Sequence, residues 1–255
     1  MFGWWQNWRR QRLSAVPFPD HWRVLLRRNV GFYARLPIPS QLILEHRIRI
    51  FCHEKTWVGC GGLPITEEVK LTVAANALVP TLGFPVDWDY SRVRSVLLYP
   101  GAFSTPDPDD FEDDDFPDEL ADGMAWYRGP VLLNWPRVLE ESRRGFGYNV
   151  VIHEFTHQLD FLDGETNGTP PLRTAVQEAR WATLMTAALQ RHREALDAGQ
   201  VSFFTSHAAR DEAEFFADAS EAFFCSPVDL RADEPDVYAL LAEYYRTDPT
   251  AWISA

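Results

Sequence analysis

Apolar residues recur at helical spacing along most of the chain and run together in two short stretches. Residues 20–34 place Trp22, Leu25, Leu26, Val30 and Tyr33 on one helical face. The sequence LPIPS then breaks that helix before a second one over about residues 41–51. Thr66 followed by Glu67 and Glu68 reads as an N-cap with an acidic first turn, opening a helix that runs to about residue 79. VRSVLLYP (93–100) and GPVLLNW (129–135) read as strands. The rest is helical: one helix holds VIHEFTHQLD (151–160), and others cover about 172–196, 208–224 and 235–245. Helices dominate with a small sheet inserted, so the fold class is α+β. The chain has no internal repeat and no Gly/Ser linker. An N-terminal tail of residues 1–19 and a single domain over 20–255 are expected.

Composition narrows the class. With 255 residues, 46% apolar and 24% charged, the chain can bury a substantial core like an ordinary soluble protein. Three cysteines, Cys52, Cys60 and Cys225, make no disulfide framework. The spacing of Cys52, His53 and Cys60 matches no standard metal pattern, so these read as buried or half-buried thiols. No stretch approaches the roughly 18 apolar residues that span a bilayer. The start MFGWWQNWRRQR lacks the apolar core of a secretion signal and reads as a packed or frayed terminus rather than a membrane-surface anchor. A cytoplasmic location is expected. The net charge of −13 is mostly local: ten acids and no Lys or Arg lie between Asp107 and Asp122, and without them the charge is −3. That run reads as a solvated loop, since it lacks the ligand spacing and central Gly of a calcium loop. No basic stripe offsets it, which argues against nucleic acid as a partner.

The chemistry is carried by VIHEFTHQLD. On a helix each residue turns about 100°, so His153 and His157 lie about 40° apart and one turn along, within reach of one ion. Glu154 sits about 100° from His153, beside the ion rather than on it, where a carboxylate can take a proton from water. Chance supplies H-E-x-x-H only about 0.01 times in a chain of this composition. Val150, Val151, Ile152, Phe155 and Leu159 bury the helix around it. These features point to a zinc site, and an open zinc site needs a third protein ligand. HQLDFLDGETNG offers no further histidine, but DEAEFFADASEAFF places Glu214, Asp218 and Glu221 on one helical face among Phe215, Phe216, Phe223 and Phe224. Glu214 is the chosen ligand. Asp218 or Glu221 would orient a histidine from behind, and Asp160, seven residues after His153, offers the same service.

VIHEFTHQLD…NGTPPL, EAEFFADASEAFF, the closing YALLAEYYRTDP, GPVLLNW and KTWVGCGGLPIT together resemble the Mlc titration factor A family of zinc-dependent peptidases, in order over about residues 20–250. The resemblance implies a gluzincin-like, zincin-type core similar to the protease domain of anthrax lethal factor. It implies Zn2+ held by His153, His157 and Glu214, with Glu154 as general base. It further implies a metallopeptidase acting on small peptide substrates in aminopeptidase fashion. The alternative is a regulatory protein that binds and sequesters a transcriptional repressor of the Mlc kind, with peptidase activity secondary. A purely structural zinc site is disfavoured, because a closed site has no use for Glu154.

One position departs from the family pattern. Seven residues before the glutamate ligand the family carries a tyrosine thought to stabilise the oxyanion; here the residue is His207, in FTSHAARDEAEFF. Drift with loss of rate, a substituted electrophile acting in catalysis, and an extra metal ligand all remain open. GPVLLNW is expected to be the edge strand that pairs with an extended substrate. The acidic run before it is expected to overhang the cleft and disfavour acidic peptides.

Overall fold

The computed structural model describes residues 8–252 except 9, 11, 14–15, 86–87, 105–119 and 127–128. The readings attached to the acidic run, a solvated loop that discriminates against acidic peptides, therefore fall almost wholly outside the described residues. The main elements in chain order are α1 (Asp20–Asn29), α2 (Ile38–Glu54), β1 (Thr56–Gly59), α3 (Glu67–Leu78), β2 (Ser95–Tyr99), β3 (Phe103–Ser104), β4 (Leu120–Ala121), β5 (Gly123–Ala125) and β6 (Val131–Asn134). They continue with α4 (Trp135–Arg144), α5 (Val150–Asp160), α6 (Ala175–Asp197), α7 (Glu212–Cys225), α8 (Pro227–Asp233) and α9 (Pro235–Tyr245). The fold is mainly helical α+β with a small mixed sheet, as the sequence pattern predicts.

The first helix ends earlier than its apolar spacing suggests. A Cβ on Gly31 would lie 2.8 Å from Gly145 Cα, so the chain leaves the helix to cross the end of α4 at backbone contact, with the Gly31 amide donating to Ser142 O at 2.8 Å. The second helix begins earlier, because a proline in the first turn costs no hydrogen bond. Thr66 caps α3 as expected, its side chain accepting from the Val69 amide. From Leu71 to Leu78 every residue of α3 is buried, and α1, α2, α4 and α5 surround it. Asn76 is, with Thr72, one of two polar residues inside this packing. Its Nδ2 donates to Ser142 Oγ at 2.8 Å and its Oδ1 accepts from Asn149 Nδ2 at 2.7 Å, fixing α4 and the start of α5 to the central helix.

The sheet runs β1-β2-β6-β5. β1, β2 and β6 are parallel, and β5 pairs antiparallel with β6 through Gly123–Leu133, Met124–Leu132 and Ala125–Val131. This corrects one expectation: GPVLLNW is not an edge strand. β6 is buried along its length between two neighbours, and the edge beside the motif helix is β5. A small β3–β4 ladder stands apart. The three cysteines are free, two half-buried and Cys225 buried, consistent with ordinary thiols. Among the described residues no helix is long and apolar enough to cross a membrane.

Behind the site lies an aromatic layer. Phe216 meets Trp181 with ring centroids 5.4 Å apart, Phe223 meets Tyr238 at 5.0 Å, and Phe224 meets Tyr245 at 4.9 Å. Each buried ring contributes up to about 3 kcal/mol. This packing fixes the rotation of α7 and turns its carboxylate face toward α5.

Candidate metal centre

The start of α5 is built from carboxylates. Asn149 caps it, its side chain accepting from the Ile152 amide at 3.2 Å. The Asn149 amide donates to Glu221 Oε1 at 2.5 Å and the Val150 amide to Glu141 Oε2 at 2.8 Å, so two buried acids meet the positive end of the helix. Burial pushes the Glu141 carboxyl up, opposed by the Val150 hydrogen bond and by Arg137, whose Nε lies 2.6 Å away.

One turn along, three imidazoles converge on one oxygen. Glu214 Oε2 lies 3.0 Å from His153 Nε2, 3.6 Å from His157 Nε2 and 3.1 Å from His207 Nε2. Glu214 sits in the first turn of α7, positioned by Asp211, whose side chain accepts from the Glu214 amide at 2.9 Å. An ion bound at about 2.0 Å by tetrahedral nitrogen and oxygen ligands sets those atoms about 3.3 Å apart. The three separations from Glu214 Oε2 bracket that value, and the donor set, imidazole with carboxylate, is the one zinc accepts. The residues therefore fit a bound metal ion. Among the described residues the one group of three or more potential ligands with all atoms within 4.8 Å of one another is His153, His207 and Glu214.

Electrostatics agree with this grouping. Burial would depress the His153 imidazolium, but hydrogen bonds to Glu214 and Glu221 outweigh it and hold the pKa well above the ordinary value. For Glu214, burial opposes ionisation, yet three imidazole partners hold the carboxyl far below the usual range. His207 is raised by its hydrogen bond to Glu214. Glu154 shifts the other way: burial raises its carboxyl against the pull of His153 and His157, toward the range suited to a general base. A metal ion bound at His153 Nε2 would compete with a proton for the same nitrogen.

The carboxylates that sequence left unresolved now separate. Glu221 is the residue behind the histidine, its Oε2 3.3 Å from His153 Nδ1. Asp218 instead accepts a hydrogen bond from Thr205 Oγ1, at the base of the turn that carries His207. Asp160 reaches no histidine; its Oδ2 accepts the Gly168 amide at 3.0 Å, and the Gly168 carbonyl accepts Trp181 Nε1 at 3.0 Å, stitching the loop after α5 to α6.

These groups line a cavity of about 730 Å³ that includes His153, Glu154, His157, His207 and Glu214, with Gly123, Met124 and Ala125 of β5 along one side. Sequence reasoning did not find Gly123. A Cβ there would stand 2.5 Å from Glu154 Oε1 and 2.6 Å from Val150 Cγ2, so β5 lies against the acid through a residue that must lack a side chain. Thr205 and Glu141 were also missed, and neither leaves a local signal. Asn149 does leave one, as an Asn directly before an apolar helical run.

Comparison with known proteins extends the resemblance. The family model for the glucose-regulated metallo-peptidase M90 family matches residues 5–246. An uncharacterized protein of Synechocystis sp. is 32% identical over 252 residues, covering 96% of this chain and 90% of its own. Proteins named Mlc titration factor A are 30% identical: that of Klebsiella pneumoniae over 86% of this chain and 83% of its own, and that of Yersinia pestis over 88% and 83%. With that family match running almost end to end and the imidazole–carboxylate cluster at its centre, the chain belongs to the glucose-regulated metallo-peptidase M90 family.

Proposed function

We propose that the protein is a zinc-dependent aminopeptidase of the cytoplasm, in which His153, His157 and Glu214 hold the ion and Glu154 is the general base. The observation that carries this reading is the convergence of His153 Nε2 and His157 Nε2 on Glu214 Oε2 beside a buried Glu154. A zinc ion held there supplies a Lewis acid that polarises a peptide carbonyl and brings the pKa of water down to about 7. Glu154 accepts the water proton on its carboxylate and returns it to the leaving amine, a task suited to an acid whose pKa burial has raised. Glu221 holds the His153 ring through Nδ1, which keeps Nε2 aimed at the centre.

The cleft supports a peptide substrate. β5 is an edge strand, and an extended peptide laid beside it gains main-chain hydrogen bonds. Asp122 precedes β5 at the cavity wall and is 44% exposed, leaving carboxylate surface for a peptide α-ammonium group. Three free thiols fit a reducing compartment. The test is metal analysis with a panel of aminoacyl anilides, free and N-acetylated. Glu154→Gln is expected to keep near-stoichiometric zinc and lose nearly all turnover, and acetylation to abolish cleavage. Zinc loss in that variant, or retained rate, refutes the role of Glu154; equal cleavage of acetylated substrates refutes the aminopeptidase assignment.

A second reading is favoured by the name Mlc titration factor A carried by relatives in Klebsiella pneumoniae and Yersinia pestis. In it the chain binds a transcriptional repressor and withholds it from DNA, and hydrolysis is secondary. Calorimetric titration of the Glu154→Gln protein with the host's glucose-type repressor tests this: saturable binding supports it, and none at micromolar concentration refutes it.

A further inference from the structure

We propose that His207 is a fourth protein ligand to the metal ion and closes the site until a peptide displaces it. The inference rests on the metal reading above, and concerns the position where this chain departs from the tyrosine its family resemblance leads one to expect. Distance is the first argument. His207 Nε2 lies 3.1 Å from Glu214 Oε2, nearer than His157 Nε2 at 3.6 Å and almost level with His153 Nε2 at 3.0 Å. A donor waiting for an oxyanion must stand back far enough to leave room for the substrate oxygen between itself and the ion. His207 stands instead at the spacing of one ligand from another, about 3.3 Å for a tetrahedral zinc site. Donor chemistry is the second argument. Nε2 of a neutral imidazole is the same ligand atom that His153 and His157 offer, and His207 belongs with His153 and Glu214 to the tightest group of potential ligands among the described residues.

The mounting of the residue supplies the third argument. His207 rides on a short 3-10 turn, Ser206–Ala209, capped by Thr205, whose hydroxyl accepts from the Ala208 amide at 3.4 Å. The same hydroxyl donates to Asp218 of α7, the helix that carries Glu214. The backbone under His207 is thus tied to the backbone under Glu214, which holds the two side chains in register. The ring itself remains accessible: its side chain is 55% exposed, against 14% for His153 and 10% for His157. Of the three imidazoles lining the cavity it is the one most open to solvent, and so the one a peptide would displace. With His157, which lies 3.6 Å from Glu214 Oε2 but outside that tightest group, three imidazoles and one carboxylate would make a set of four, the number that zinc takes in sites without an open position. The position His207 leaves would be open to the water that Glu154 deprotonates, beside a peptide lying along β5.

The test uses the full-length zinc-loaded protein, X-ray absorption to count imidazole ligands, and competition with a chromophoric chelator to measure zinc affinity. Wild type is expected to show three imidazoles, and His207→Phe and His207→Ala two, with zinc affinity reduced by more than about 100-fold, beyond the loss typical of a group behind the ligands. Two replacements of different size guard against a local effect of either one. Two imidazoles in wild type and variants alike, or unchanged affinity, overturn the proposal and leave the three-ligand reading intact. Failure of wild type to bind zinc, with His153→Ala no different from it, refutes the metal reading itself and the proposal with it.

Discussion

Gly123→Ala tests how the active cleft is assembled. The added Cβ would meet Glu154 Oε1 at 2.5 Å, Val150 Cγ2 at 2.6 Å and Glu154 Cγ at 2.8 Å. Ordinary contacts lie near 3.5–4.0 Å, so the shortfall is about 1 Å on three atoms at once. Val150 belongs to the first turn of α5, where its amide is held by Glu141, and Glu154 is the buried acid one turn on, so neither can retreat freely. β5 has only three residues and one paired neighbour, so part of the strain is relieved by the strand moving outward. The stability cost should stay within about 1–3 kcal/mol, the range for overpacking. With Glu154 as the proposed base, activity should fall further, since displacing a base by about 1 Å costs on the order of 100-fold. The assay is kcat on an aminoacyl anilide with zinc content and thermal midpoint measured on the same sample. Full zinc, a small loss of stability and a drop in kcat of roughly two orders of magnitude are expected. Wild-type kcat at full zinc would refute the claim that β5 presses on Glu154 and sets the position of its carboxylate.

Glu221→Gln should weaken zinc binding about 10–100-fold by disturbing His153 Nδ1, Glu214→Gln should weaken it far more, and Asp218→Asn, which touches Thr205, should change it least; chelator competition ranks them, and a reversed order refutes the assignment. Burial raises the Asp160 carboxyl from 3.8 to about 6. Its folded form therefore binds the proton more tightly than the unfolded form, giving stability that is fully present below pH 3.8 and lost as pH rises through about 6. Asp160→Asn removes that dependence: its stability relative to wild type should climb by up to about 3 kcal/mol between pH 4 and 7 in chelator-treated urea titrations, and a flat difference refutes it. Zinc at about 1,000 times its Kd should stabilise the protein by about 4 kcal/mol, raising Tm by about 8–16 °C over the chelated form, and an unchanged Tm argues against binding to the native state.

Local rules carry the sequence reading a long way and then stop at pairings made over distance. The Thr66 cap and the helix of VIHEFTHQLD depend on neighbours within a turn, and both are legible. α4 was missed although it carries Pro136 in its first turn and ends on Gly145 in the left-handed region, signals that were present but lay behind the apolar run of β6. The edge strand was misassigned for a different reason. Gly-Met-Ala has no strand pattern of its own, and only its ladder with Val131–Leu133 makes it β5. At the site, helical spacing brings Glu214, Asp218 and Glu221 to one face, but spacing cannot say which acid meets His153 and which meets Thr205. That division depends on the rotation of α7 set by Phe216, Phe223 and Phe224 against Trp181, Tyr238 and Tyr245. Asp160 shows the same limit, since its partner Gly168 is set by a loop rather than by a period.

Seven carboxylates, Asp122, Glu141, Glu154, Asp211, Glu214, Asp218 and Glu221, line one cavity, and two arginines, Arg137 and Arg210, line it with them. Arg137 pairs with Glu141 at 2.6 Å and Asp122 at 3.8 Å, and helix-end amides and the imidazoles beside Glu214 add further compensation. Buried like charges cost several kcal/mol unless each is paired, so a positive group among the imidazoles would stabilise this arrangement. Protons can serve, and a divalent ion serves better, because one ion answers Glu214 and draws charge from several neighbours at once. Glu221 joins the two ends of that economy. One of its oxygens holds the Asn149 amide at the start of α5 and the other lies at His153 Nδ1, so the carboxylate that helps form the helix also orients the His153 ring. The cluster and the fold therefore share this side chain, and on the proposed metal reading a change at the ion would be felt at the helix that carries His153.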